Sequence, residues 1–126
     1  MIQDTKDVIK SALILGGIST VYTYNPERPN VPCGIIEPNI NYLRVTEDSY
    51  GPIFQSDWRV RIMVPFGAND KETTELDNYL DSLLPTVWEH TDCSTLSVDK
   101  PFITEVNNAN YLSAYLNISI DMQGGN

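Results

Sequence analysis

Apolar and polar residues alternate most cleanly across residues 53–66, IFQSDWRVRIMVPF. Phe54, Trp58, Val60, Ile62, Val64 and Phe66 fall on one side of a two-residue period, and Ile53, Gln55, Asp57, Arg59, Arg61 and Met63 on the other. Successive side chains of a strand point to opposite faces, so this pattern predicts a strand with one dry and one wet face. Residues 111–122 repeat it. Leu112, Ala114, Leu116, Ile118, Ile120 and Met122 form the dry set, while Tyr111, Ser113, Tyr115, Asn117, Ser119 and Asp121 face away. Such ribbons are not stable alone and must pair with neighbours and pack under something.

The remaining elements follow from spacing and punctuation. Asp4 or Thr5 caps a first helix running to about Leu15, with Val8, Ile9, Ala12 and Leu13 as its apolar face. Gly16 and Gly17 end it, since glycine takes a left-handed cap without strain. Residues 18–24 are β-branched and aromatic and read as a strand. Residues 25–32, NPERPNVP, hold three prolines, which excludes a helix or central strand and predicts an extended loop or arm. Residues 33–37 and 40–46 read as a strand interrupted at Pro38-Asn39, and Tyr50-Gly51-Pro52 turns the chain into the long strand. Gly67-Ala68-Asn69-Asp70 closes that strand, and Asp70 caps a second helix. This helix carries a stripe of Leu76, Leu80, Leu83, Leu84 and Val87, with Glu72, Glu75, Asp77 and Asp81 on the solvated side, and Pro85 kinks or ends it. Residues 94–98 form a weaker strand and residues 104–106 a short addition before a turn at Asn107-Asn108-Ala109-Asn110. The order α-β-β-β-α-β-β predicts one α+β domain over residues 1–126, with two helices packed on one face of a mainly antiparallel sheet.

Composition narrows the function. A chain of 126 residues suits a single core. Its formal charge of −9 argues against a surface that grips nucleic acid, which needs clustered Lys and Arg. It suits a protein that repels DNA or meets a basic partner. Cys33 and Cys93 are too few for a disulfide scaffold and are expected as buried free thiols in a reducing compartment. No apolar run approaches the ~20 residues of a membrane helix. The opening MIQDTKDVIK lacks the cationic-then-apolar order of a signal peptide, so a soluble cytoplasmic product is expected.

Candidate chemistry is sparse. His90 and Cys93 with a carboxylate fall short of the four ligands a zinc site usually wants, and a solvated helix-end histidine explains His90 better. No serine sits in a nucleophile elbow, and Gly16-Gly17 lacks the lysine and spacing of a phosphate loop. A Cys33–His90 nucleophile pair needs the fold to join distant residues. Glu47-Asp48, or Asp77 with Asp81, are explained as solvated surface. Asn117-Ile118-Ser119 matches a glycosylation acceptor but lies mid-strand in a chain with no export signal. No catalytic residue, metal or cofactor is therefore assigned. Arg59 and Arg61, half of the four arginines, share the wet face of the long strand. Two readings stay open for them. One is cross-strand pairing with Asp57, Asp121 or Glu47. The other is docking of this face, with Tyr111 and Tyr115, against an acidic neighbouring subunit, since Arg and Tyr suit a surface both wettable and adhesive. A DNA contact is a third, opposed by the surrounding charge.

The layout of a short N-terminal helix, TVYTYNPERPNVP, WRVRIMVPF, the acidic helix TTELDNYLDSLL and the final YLSAYLNISIDM resembles the tail terminator (minor tail, tail-completion) proteins of long-tailed bacteriophages, the lambda-type family. The likeness is one of order and pattern over nearly the whole chain, with no signature motif. It implies a structural protein rather than an enzyme: a hexameric ring that caps the tail tube, halts its growth and presents a head-attachment surface. The implied partners are further copies of the chain, the tail tube protein and a head-completion or connector protein, in the virion after assembly in the host cytoplasm. DNA passes through such a ring without sequence-specific binding. A closed ring needs two unlike, complementary patches per subunit, and the two long strands offer an extended surface of that sort. The expected subunit interface is Arg59, Arg61, Asp57, Tyr111, Tyr115 and Asp121, and the expected partner-facing loop is Pro26, Glu27, Arg28 and Pro29. Alternatives are a head-closure, stopper or other neck protein and, from another class, a small α+β ligand-binding domain or enzyme.

Overall fold

In the computed structural model, which describes residues 2–48, 50–66 and 71–122, helix α1 (Ile2–Leu15) is followed by strands β1 (Val21–Tyr22), β2 (Cys33–Asp48) and β3 (Gly51–Pro65). Helix α2 (Lys71–Thr91) then precedes β4 (Thr95–Val98), β5 (Phe102–Val106) and β6 (Ala109–Met122). The α+β class holds, with one strand more than the sequence predicts, because Phe102–Val106 pairs along its whole length with the start of β6. The sheet runs β1-β2-β3-β6-β4, with β5 beside β4 on the outer edge of β6, and every pairing except β1–β2 is antiparallel.

Both helices lie on one face. Ile9, Ala12 and Leu13 of α1 and Leu76, Leu83 and Val87 of α2 pack with Trp58, Val60, Ile62 and Val64 of β3 and Ala114, Leu116, Ile118 and Ile120 of β6. The alternation in the two long strands thus places the core as expected. Trp58 is its largest fully buried side chain. The indole Nε1–H donates to Ser56 Oγ at 2.8 Å, and Tyr42 meets the ring edge-on at 4.9 Å. That partial burial pushes the Tyr42 phenol pKa up.

Several boundaries differ from the sequence pattern, each for a local reason. Helix α1 starts at Ile2 rather than being capped at Asp4 or Thr5, because Ile2 packs against the core and draws the first turn in. Val8 faces outward. At the other end Gly17 takes φ +110°, its N–H bonds to the Ile14 carbonyl, and the Ile18 N–H reaches the Leu13 carbonyl at 3.0 Å. This pair of bonds is a Schellman cap, and it turns Ile18 fully into the core. Ile18 therefore serves the cap, the Thr20 carbonyl already accepts from the Gly34 N–H of β2 at 3.0 Å, and only Val21–Tyr22 of the expected 18–24 strand pairs in register. Phe66 lies beyond the last pair of β3 and is exposed. Helix α2 continues through Pro85 to Thr91. Pro85 and Asp81 are both exposed, so the carbonyl that proline leaves without an amide partner can turn to water. The turn at Gly67-Ala68-Asn69-Asp70, and with it the Asp70 cap, lies outside the described residues.

Strand β2 is continuous through Pro38-Asn39 but shifts register there. Pro38 stands opposite Trp58 and Leu43 opposite Ser56, so residues 39–42 all face the single residue Asp57. Asn41 absorbs the bulge with φ 57°, a conformation asparagine tolerates. Helix-side positions are Gly34, Ile36 and Pro38 before the bulge and Leu43 and Val45 after it. The β5–β6 hairpin turns on Asn107 and Asn108, both at positive φ, as a two-residue turn of this hand requires.

Candidate functional site

The face of the sheet away from the helices divides into a roofed half and an open half. In the roofed half, Cys33, Ile35 and Met63 form a second, smaller core with Tyr22, Val31, Val106 and Tyr111. Met63 and Ser113 sit on the expected wet side of their strands yet are fully buried, because the 25–32 arm folds back over them with β5. Asn25 Oδ1 accepts from Arg61 Nη2 at 3.0 Å, the Asn30 N–H donates to the Tyr22 hydroxyl at 3.1 Å, and Pro29 is buried. Pro26 is half-buried, and Glu27 and Arg28 are exposed at the apex of the arm. Burial pushes the Cys33 thiol up to about 11, with the Arg61 charge pulling the other way.

At the border of the two halves stands an arginine pair. Antiparallel register puts Ile35, Arg61 and Tyr115 in one row and Glu37, Arg59 and Asn117 in the next. Glu37 Oε2 accepts from Arg59 Nε at 3.2 Å and Nη2 at 3.1 Å, and Glu37 Oε1 accepts from Arg61 Nη2 at 2.5 Å. One carboxylate thus serves two cations. The expected partners Asp57, Asp121 and Glu47 are displaced from this role by Glu37. Asp57 instead binds Arg44 at 2.8 Å and the Ser119 hydroxyl at 2.8 Å, and Asp121 accepts from Gln55 at 2.8 Å. The Arg59 guanidinium lies 4.4 Å over the Tyr115 ring, and Arg61 lies 5.9 Å from it. Tyr115 itself stacks on Phe102 at 5.1 Å. Arg61 and Glu37 are each 13% exposed at the side chain and Arg59 38%, and the buried Arg61 Nε–H has no hydrogen-bond partner among the described residues. The arrangement is a rigid platform of charge over stacked rings, with Arg59 presented outward.

Of the expected interface residues, Arg59, Arg61 and Tyr115 are brought together, Asp57 and Asp121 lie farther along the same face, and Tyr111 is drawn into the smaller core. Glu37, Phe102 and Asn25 complete the platform and were not legible as part of it. The β2–β3 ribbon adds a second surface. Among the described residues its pairing with β6 ends at Phe54, and on the helix side of the sheet Leu43 and Val45, the latter 65% exposed, lie beyond helix cover. Tyr50 at its tip is 96% exposed.

Other candidate chemistry does not assemble. Cys33 lies under the arm, whereas His90 is exposed near the end of α2 on the other face, so the two form no nucleophile pair. Cys33 and Cys93 are buried free thiols. No group of three metal-ligating side chains is found among the described residues, and no described helix is long and apolar enough to cross a membrane. A cavity of about 660 Å³ opens where the end of α1 meets α2, lined by Gly16, Gly17, Thr74, Glu75, Asn78, Tyr79 and Ser82. No family model matches the chain, and no curated protein matches it.

Proposed function

We propose that this chain is a structural virion protein that assembles as a ring at the head–tail joint of a long-tailed phage, capping the tail tube and offering a surface to the head. The observation that carries this reading is the sheet itself: both helices cover one face, and the other keeps the Arg59–Tyr115 platform open. A large sheet face left partly uncovered, with Arg and aromatic side chains held in place, has the make-up of a protein interface. The ribbon carrying Leu43, Val45 and Tyr50 supports it further, since a ribbon with an uncovered apolar side is suited to reach a second partner along the tail axis. The charge of −9 fits a bore that lets DNA slide without gripping it. Native mass spectrometry and negative-stain microscopy of the purified chain test the proposal. The expected result is a closed oligomer of one size; a monomer at the highest soluble concentration refutes it.

A further inference from the structure

The platform is half of a contact, and the molecule carries a surface of opposite character on its other side. After Lys71, helix α2 holds Glu72, Glu75, Asp77, Asp81 and Glu89 and not one Lys or Arg. A helix turns 100° per residue, so Asp77, Asp81 and Trp88 fall within about 40° of one another. Both carboxylates are exposed, and Trp88, 53% exposed, stands at the end of their row. Helix α1 leaves this flank clear. It packs on the other side of α2, where Gly16 meets Leu83 and its carbonyl accepts from Ser82 Oγ at 2.7 Å. The surface of α1 is balanced, with Lys6 and Lys10 beside Asp4 and Asp7, so it has no comparable character.

We infer that the Asp77–Asp81–Trp88 flank of α2 in one copy seats on the Arg59–Tyr115 platform of the next copy. This inference rests on the ring reading and names the surfaces that would build it. Charge decides the pairing. Arg59 and Arg61 share one carboxylate, Glu37, which leaves one positive charge in excess at the platform, while Asp57 and Asp121 are engaged by Arg44 and Gln55 farther along the face. The α2 flank supplies carboxylates for the outward N–H groups of Arg59, and its indole offers a ring face for a guanidinium or an edge for the Tyr115–Phe102 stack. The flank cannot pair with itself, because carboxylates would then meet carboxylates. The two surfaces lie on opposite faces of the sheet, so the contact is head-to-tail, the kind that closes into rings when the rotation allows.

The test uses two variants of the full chain, each with one damaged surface. Arg59→Glu spoils the platform, and Asp77→Lys with Asp81→Lys spoils the flank. Each variant alone is expected to be monomeric by analytical ultracentrifugation, with a circular dichroism spectrum like that of the unmodified chain. Mixed in equal amounts they should assemble again, since an intact platform then meets an intact flank and, at the two damaged surfaces, the reversed charges are once more opposite. If the unmodified chain forms rings but either variant still does so, or the mixture stays monomeric, the contact lies elsewhere and the inference falls while the ring reading stands. If the unmodified chain is itself monomeric, both fall. Should Arg59→Glu fail to fold beside Glu37, Trp88→Ala at its exposed position decides. It is expected to weaken assembly at least about tenfold, as truncation of an interface aromatic does, and an unchanged dissociation constant overturns the inference.

Discussion

Replacing Glu37 by alanine removes the one carboxylate that two arginines share, and the structure sets the size of the effect. Arg61 and Glu37 are each 13% exposed, so the Arg61 charge would be left largely out of water, with Asn25 as its one remaining side-chain hydrogen-bond partner among the described residues and its Nε–H already unpartnered there. Breaking such a pair by deleting one partner costs about 3–5 kcal/mol, because an uncompensated charge stays behind. Arg59, at 38% exposure, adds little, within the roughly 0–1 kcal/mol of solvent-screened pairs. The expected loss is therefore about 3 kcal/mol or more. With a urea dependence of about 1–3 kcal/mol per molar for a small domain, the midpoint should fall by at least about 1 M. The assay is urea unfolding followed by circular dichroism, at a concentration where the chain is monomeric. A double-mutant cycle with Arg61→Ala should then show that most of the loss is shared between the two sites. A Glu37→Ala midpoint indistinguishable from that of the unmodified chain would refute the claim that the platform is a desolvated ion pair.

Two further outcomes follow from the packing. In Gly16→Ala the new Cβ would lie 2.6 Å from Leu83 Cδ2 and 3.3 Å from both Leu83 Cα and the Ala12 carbonyl. The buried Leu83 side chain must swing aside and the helices yield by a few tenths of an ångström to admit it, at about 1–3 kcal/mol, and a thermal melt should show Tm lowered by several degrees; an unchanged Tm would place the helix contact elsewhere. Cys33, raised from 9.0 to about 11 by burial, is neutral in folded and unfolded chains alike well below pH 9. Approaching that value the unfolded chain loses its proton first, so stability falls as pH rises from about 9 to about 11, by up to roughly 3 kcal/mol from this group. Urea midpoints of Cys33→Ala should fall less steeply over that window, and equal slopes would contradict the burial argument.

The long strands were legible because each has unlike faces. Where both faces are covered the pattern misleads, as at Met63 and Ser113, since nothing in a local period announces an arm folding back from residues 25–32. Residues 18–20 have strand-forming side chains, but Ile18 is claimed by the helix cap, and tertiary burial outweighed propensity. Glu37 was hidden by the bulge. Counting straight back from the Asp48–Gly51 pair puts Ile40 opposite Arg59, and only the extra residues after Pro38 bring Glu37 there. The acidic character of α2 was plain in the sequence. That its clear flank carries Trp88, and lies across the sheet from the arginines, needed the packing of α1.

The insertion in β2 also works like a frame shift written into a strand. Three surplus residues, an odd number, swap the parity of everything beyond them, which is why odd positions such as Leu43 and Val45 share a side with even positions such as Gly34 and Ile36. Losing one of those residues would exchange Arg44 for its neighbours and carry it away from Asp57, whereas losing two would preserve every facing. The insertion can therefore change length through descent only in paired steps if the two sides of β2 are to keep their chemistry.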